Sequence, residues 1–133
     1  SVWESTYFGE GQLLFQKQTL DVREWYARFG LQAERKGHEP DDHIGLELSF
    51  LAQLATLAMQ SLETGDEAAA EKNLQAQRDF LTQHPLRWAL AWAELVQKHA
   101  GTDYYRGLSH LAVGLLQSAA ELLDIEIPEE KKR

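Results

Sequence analysis

The chain has 133 residues, and its 13 basic and 21 acidic side chains leave a formal net charge of −8 at pH 7. This acidic balance argues against a nucleic-acid-binding surface, and the absence of cysteine excludes disulfides, thiolate metal sites and cysteine nucleophiles. No apolar run approaches the roughly 20 residues of a membrane span, and the first residues lack the features of a secretory signal. We therefore expect a cytoplasmic protein that forms one domain over residues 1–133.

The predicted elements are almost all helical, beginning with Lys17 to Phe29. Leu20, Trp25 and Phe29 recur among polar residues in this segment, and Gly30 supplies the expected stop. The preceding segment shows little helical periodicity and is rich in aromatic side chains. These aromatics either line a groove for an apolar peptide or pack the segment against the helices. They are Trp3, Tyr7, Phe8 and Phe15.

A dense group of ionisable residues, GHEPDDHIGLE from Gly37 to Glu47, precedes the next helix. Proline is favoured at the first helical position, and the helix dipole stabilises acidic side chains in the first turn. The sequence therefore predicts a helix from Pro40 to about Thr64. An apolar stripe supports this helix. Asp41 and Asp42 then serve either as caps alone or as part of a binding site. The stripe consists of Ile44, Leu48, Leu51, Ala55, Ala58 and Leu62.

Three further helices are predicted after this central one. Asp66 to Gln83 has few large apolar residues, which predicts a peripheral helix. Pro85 opens a strongly apolar helix, and Thr102 caps a last helix that runs to about Asp124. Residues Ile125 to Arg133 read as a charged tail. The expected fold class is therefore all-α, a helical bundle of about five helices.

An enzyme is the weaker interpretation of these residues. His43 and Glu47 are four apart and share a helix face, so with Asp42 or His38 they could form the site of a small metal-dependent hydrolase. A hydrolytic zinc site needs three protein ligands, and no further pair at metal-binding spacing is evident. No Gly-x-Ser-x-Gly motif is present. We expect no enzyme activity, no catalytic or metal-binding residue and no cofactor; a helical adaptor without a peptide groove is a third alternative.

Several motifs in this order resemble those of the TorD/DmsD/NarJ family of cytoplasmic chaperones for molybdenum-containing redox enzymes. The central motif is Glu-Pro-Asp-Asp-His followed by Ile44 to Leu51. The start, SVWES, is similar to the segment that follows the Pro-Pro-aromatic loop in the family. The other matching stretches are TLDVREWYARFGL (19–31), His84-Pro85-Leu86-Arg87-Trp88 and Tyr104-Tyr105-Arg106-Gly107-Leu108. One departure concerns Phe15-Gln16-Lys17, where some relatives have a glycine.

The resemblance implies a non-catalytic chaperone that binds the twin-arginine signal peptide, or the precursor, of a molybdenum-cofactor oxidoreductase. Such a chaperone assists cofactor insertion and delays export until maturation. Carried over by residue, the resemblance implicates Trp3, Glu39, Asp42 and His43, and neighbouring Asp41 is a third acid for the two arginines. It also implies that the chain is the C-terminal part of a longer TorD-like protein lacking N-terminal helices, and it admits a homodimer.

Overall fold

Short connections join the last four helices of this protein. A computed structural model describes Glu4, residues 17–31 and residues 42–126. These residues form five α-helices, with no β-strand among them, which confirms the predicted all-α bundle. In this part of the chain no helix is long and apolar enough to cross a membrane. The helices are α1 (Lys17–Arg28), α2 (Ile44–Glu63), α3 (Glu67–Gln83), α4 (Pro85–His99) and α5 (Asp103–Leu122).

Several helix ends follow the residues that the sequence offers for capping, but Thr102, at the start of α5, makes no side-chain capping hydrogen bond. Gly30 and Gly65 adopt φ of 70° and 76°, in the left-handed region that favours glycine, and they follow α1 and α2. The Asp66 carboxylate accepts the backbone N–H of Ala69 at 3.0 Å and caps α3. Pro85 is the first residue of α4, as predicted. Most of the predicted charged tail, residues 127–133, lies outside the described residues.

The predicted start of the central helix at Pro40 is wrong, because α2 begins at Ile44. His43 is the N-cap, with extended backbone at φ −63° and ψ 137°, and its Nδ1 accepts the backbone N–H of Gly45 at 2.9 Å. Asp42 is therefore outside the helix rather than in its first turn. Proline at the first helical position is only a preference, and here an imidazole supplies the cap three residues later.

The first of two apolar clusters joins α1, α2 and α3. Phe80 of α3 is fully buried at its centre, and its ring centroid lies 4.7 Å from that of Phe50 and 5.6 Å from that of Trp25. Helix α3 was predicted to be peripheral, and that prediction is wrong. Its small residues Ala70 and Ala76 are buried, so the helix packs closely although it has few large side chains. The cluster comprises Val22, Trp25, Tyr26, Phe50, Leu54, Ala76 and Phe80.

The second cluster surrounds the start of α2. Ile44, the first residue of α2, packs there among side chains from the end of α3, from α4 and from α5. The backbone next to His43 is therefore anchored by burial of apolar side chains from three neighbouring helices. This cluster comprises Ile44, Leu81, Leu86, Trp88, Ala89, Leu116 and Ala120.

Candidate functional site

Two of the five predicted site residues lie within the described part of the chain. Asp42 and His43 are described, whereas Trp3, Glu39 and Asp41 lie outside it. The geometry of the site is therefore built from Asp42, His43 and the residues that hold them.

Asp42 is fully buried, so its carboxylate does not face solvent. Its Oδ1 accepts a hydrogen bond from Thr19 Oγ1 of α1 at 2.9 Å. Its backbone carbonyl accepts the N–H of Glu4 at 3.1 Å. Asp42 therefore ties α1 and the segment at Glu4 to the start of α2. Its side chain positions its neighbours, and a solvent-borne ligand does not reach it in this conformation.

His43 is half-buried at the mouth of α2. Because its Nδ1 accepts the N–H of Gly45, the neutral ring carries its proton on Nε2. The imidazole lies close over Gly45, where an added Cβ would be 3.2 Å from His43 Nδ1. Glycine at this position lets the side chain of His43 fold back over the first turn of the helix. The capping role that the sequence suggested for this region thus belongs to His43.

Glu47, one turn further along α2, is also fully buried. Its Oε1 accepts the indole N–H of Trp88 at 3.1 Å, and its Oε2 accepts no hydrogen bond from the described residues. His43 Nδ1 and Glu47 Oε1 are thus both occupied by protein donors. No group of three metal-ligating side chains occurs among the described residues. The geometry gives no support to the alternative of a hydrolase built on His43 and Glu47.

A buried contact between Glu4 and His84 was not predicted from the sequence. His84 Nδ1 lies 2.9 Å from Glu4 Oε2 and 3.1 Å from Glu4 Oε1. Since an ionised carboxylate only accepts hydrogen bonds, the imidazole N–H is the donor to both oxygens. His84 lies between α3 and α4, and Trp88 follows one helical turn later. The His-x-x-x-Trp pattern thus supplies two buried donors that meet two buried carboxyl groups.

Glu4, Asp42 and Glu47 together form what we call the carboxyl cluster, in which all three side chains are fully buried. Burial raises the pKa of Glu47 well above its usual range, and the neighbouring Glu4 carboxylate raises it further. Asp42 acts in the same direction, whereas the hydrogen bond from Trp88 lowers the pKa. The cluster therefore favours a protonated, neutral Glu47 in the folded protein.

Comparison with known proteins gives the chain a family. The family described as nitrate reductase delta subunit matches residues 1–94, which include the carboxyl cluster and its donors. This chain belongs to the TorD/NarJ family. The TorD/DmsD/NarJ resemblance found in the sequence is thereby confirmed.

The relatives of this TorD/NarJ-family chain include proteins named "Chaperone protein TorD". One from Vibrio cholerae is 35% identical over 127 residues, which are 96% of this chain and 56% of the relative. One from Photobacterium profundum is 31% identical over 121 residues, 91% of this chain and 55% of the relative. The chain thus spans about half the length of these curated relatives. No solved structure matches significantly.

The names of these relatives bear on the predicted class of protein. They are named as chaperones and not as enzymes, which supports the prediction that this TorD/NarJ-family chain is not an enzyme. The chemistry that the described site offers agrees with that class. It holds hydrogen-bond donors and acceptors in a fixed arrangement, and Glu47, the residue proposed as a metal ligand, is buried against Trp88.

Proposed function

We propose that this chain is the part of a cytoplasmic chaperone that binds the twin-arginine signal peptide, or the precursor, of a molybdenum-containing oxidoreductase. Binding would assist cofactor insertion and delay export until the client is mature. Family membership supports a role in the maturation of molybdenum enzymes. We extend this role to the signal peptide as ligand, to a molybdenum-containing oxidoreductase as client and to the cytoplasm as compartment.

The observation that carries this proposal is the hydrogen bond from the Glu4 N–H to the Asp42 carbonyl at 3.1 Å. Glu4 directly follows Trp3 in the sequence, and Asp42 ends the Glu39–Asp42 stretch of acids. The described residues next to these two implicated stretches, Glu4 and Asp42, are thus hydrogen-bonded to each other. Their meeting favours one recognition site rather than two unrelated surface features.

The chemistry proposed for that site divides the peptide between two kinds of side chain. Carboxylates bind guanidinium groups through charge-assisted, often bidentate hydrogen bonds, a role we assign to Glu39 and Asp41. Trp3 would contact the apolar part of the peptide, because aromatic rings offer large contact area at low entropic cost. His43, at the mouth of α2, would donate from Nε2 to a peptide carbonyl. Asp42 would act indirectly, since its carboxylate is buried.

Calorimetric titration of the protein with a twin-arginine peptide tests this proposal. The double variant Glu39→Gln/Asp41→Asn keeps the shape of both side chains and removes their charge. We expect it to bind at least about tenfold more weakly, which corresponds to about 1.4 kcal/mol. His43→Ala should also weaken binding. A peptide with lysines in place of both arginines should bind more weakly to the unsubstituted protein, because lysine lacks the bidentate fork.

The matched control is Glu63→Gln/Glu67→Gln, which removes two exposed acids at the other end of α2 and at the start of α3. It should leave the affinity unchanged. Equal losses in the control and in the double variant would show that only the net charge matters. Undiminished binding by the double variant would place the peptide elsewhere on the protein.

We also propose that the chain forms a homodimer through α5. This helix exposes an apolar stripe, and its members follow the four-three spacing of a helix–helix seam. The N-terminal end of the stripe lies near Arg106 and His110, and its C-terminal end lies near Glu121 and Asp124. Arg106 already pairs with Asp103 at 3.0 Å, so the pairing of two copies rests on the apolar stripe. A two-fold axis perpendicular to α5 would make the two copies of the helix antiparallel. The stripe consists of Tyr104, Leu108, Leu111, Leu115 and Leu122, which are 41–86% exposed.

A further inference from the structure

The carboxyl cluster is connected to each part of the described fold that surrounds the start of α2. Thr19 of α1 donates to Asp42, His84 at the α3–α4 junction donates to Glu4, and Trp88 of α4 donates to Glu47. Each donor is itself buried. Helix α5 approaches the same region with apolar Leu116 and Ala120. The cluster is therefore a polar centre that joins four segments of the chain: the segment at Glu4, α1, the start of α2, and the start of α4 with the junction before it.

The balance of charge within the cluster determines what holds it together. Among the described residues, the titratable groups that act on Glu47 are Glu4 and Asp42, and both are acids. Isolated charges are costly to bury, and like charges at close range add to that cost. Oε1 of Glu47 already accepts from Trp88, so a proton on Glu47 belongs on Oε2, which has no other partner among the described residues. From there the proton can be directed toward the Glu4 carboxylate, a neighbouring group that raises the pKa of Glu47.

We propose that Glu47, together with His84, acts as a clamp that holds Glu4 against the start of α2 and so positions the peptide site around His43. This inference rests on the proposed function, because it concerns how the same site is kept in shape. Glu47 and His84 are positioning residues, since both act through Glu4. The clamp requires Glu47 to be neutral, because an ionised Glu47 would repel the carboxylate that it retains.

The sign of the pH dependence follows from this requirement. A carboxyl group with a raised pKa in the folded state stabilises the fold fully below its unfolded pKa, and that stability is lost as the pH rises through the folded pKa. The clamp should therefore loosen on the alkaline side. An amide at position 47 stays neutral at every pH, accepts from Trp88 and can donate to Glu4. Glu47→Gln therefore removes the titration of this side chain while it keeps the shape and packing of the side chain.

The experiment compares unsubstituted protein, Glu47→Gln and the control Glu63→Gln at about pH 7 and about pH 9, because a raised carboxyl pKa makes stability fall as the pH rises. Stability is measured by urea unfolding, and affinity by titration with the twin-arginine peptide. We expect the unsubstituted protein and the control to lose stability, and roughly fivefold or more in affinity, at the higher pH. Glu47→Gln should show a flat profile for both. Identical pH dependence in all three proteins would overturn the clamp.

Two further measurements keep the result decisive. Asparagine can present its amide N–H near the position of His84 Nδ1, so His84→Asn should retain more affinity than His84→Ala. Equal affinity in these two variants would argue against positioning by His84. If no peptide binds at any pH, the proposed function fails, but the stability profiles still decide the clamp. They support it if only Glu47→Gln is flat, and they reject it if all three proteins respond alike.

Discussion

At the scale of single residues, Trp88 combines an apolar and a polar role. Its rings are buried in the second apolar cluster, and its indole N–H donates to Glu47 Oε1 at 3.1 Å. Buried indole groups normally find such a partner, because an unsatisfied N–H in an apolar surrounding is costly. The same contact gives Oε1 of the buried Glu47 carboxyl group its hydrogen-bond donor. The two residues are 41 positions apart in the sequence.

Trp88→Phe separates these two roles, because phenylalanine keeps most of the ring packing and removes the N–H. Losing a hydrogen bond to a buried acceptor typically costs about 1–3 kcal/mol, so we expect a decrease of that order in the free energy of unfolding. The control is Trp92→Phe, because Trp92 is only half-buried and packs edge-on against Trp88. Urea unfolding followed by circular dichroism measures both. Similar losses in the two variants would mean that ring size, not the hydrogen bond, explains the effect.

The sequence contains part of this residue-scale information. Ile44, Glu47, Phe50, Leu54 and Ala58 recur at the spacing of one helical face, and all are buried. A glutamate within an apolar stripe is a signal for a buried polar contact. The identity of its partners is beyond sequence reasoning, because Trp88 comes from another helix and Glu4 from a segment near the start of the chain. Packing of α2 against α4 brings Trp88 to Glu47, and the hydrogen bond between Glu4 and Asp42 holds Glu4 at the start of α2.

At the scale of elements, the start of α2 is set by the His43 side chain and not by the preference of proline for the first helical position. The sequence correctly places a helix after the group of acids and its stop at Gly65. The predicted apolar stripe is only partly right, because Leu62 is 60% exposed whereas Phe50 and Leu54 are buried. The sequence places the start too early, because Pro40 and the acids all favour a first turn. The imidazole of His43 caps the helix instead, and Asp42 turns inward to Thr19. Such a choice depends on tertiary contacts that local preferences do not contain.

Gly45→Ala tests the geometry of this cap. Alanine normally stabilises a helix interior by about 0.5–1 kcal/mol relative to glycine. At Gly45 the new Cβ would lie 3.2 Å from His43 Nδ1, and displacing that ring would weaken a cap worth typically about 1 kcal/mol. We therefore expect no gain in stability. Gly114→Ala in α5 meets nothing within 4 Å and should give the full gain.

Thermal unfolding compares the two alanine variants directly. In the background of His43→Ala, where the cap is already absent, Gly45→Ala should regain the stabilisation that it lacks in the unsubstituted protein. Equal gains at both positions without that background substitution would show that the His43 ring moves aside at no cost.

At the scale of the whole molecule, α5 exposes more large apolar side chains than any other described helix. Leu111 is 69% exposed and Leu122 is 86% exposed. Contiguous apolar surface of this kind usually marks an interaction site. Leu111→Lys/Leu115→Lys places two charges at the middle of the proposed seam, where an antiparallel partner would bring them close to their own copies. We expect this variant to sediment as a monomer under conditions in which the unsubstituted protein forms dimers.

Leu62→Lys is the control, because Leu62 is 60% exposed on α2 and lies outside the stripe. It should leave the dimer intact. A monomeric unsubstituted protein, or a dimer that persists in the α5 variant, would contradict the proposed seam. The stripe itself could be predicted from the sequence as an apolar face. Its exposure could not, because a helix periodicity does not tell which of two adjoining faces the bundle buries.

The contact between Glu4 and His84 also has a consequence for the order of folding. It closes a loop between residues that are 80 positions apart, and the entropy of such a closure must be paid before the contact stabilises anything. Contacts within and between neighbouring helices form faster, because their loops are short. We therefore expect the start of α2 to be completed last, after the apolar clusters have assembled. A nascent chain would acquire the proposed recognition surface only when the rest of the bundle is in place.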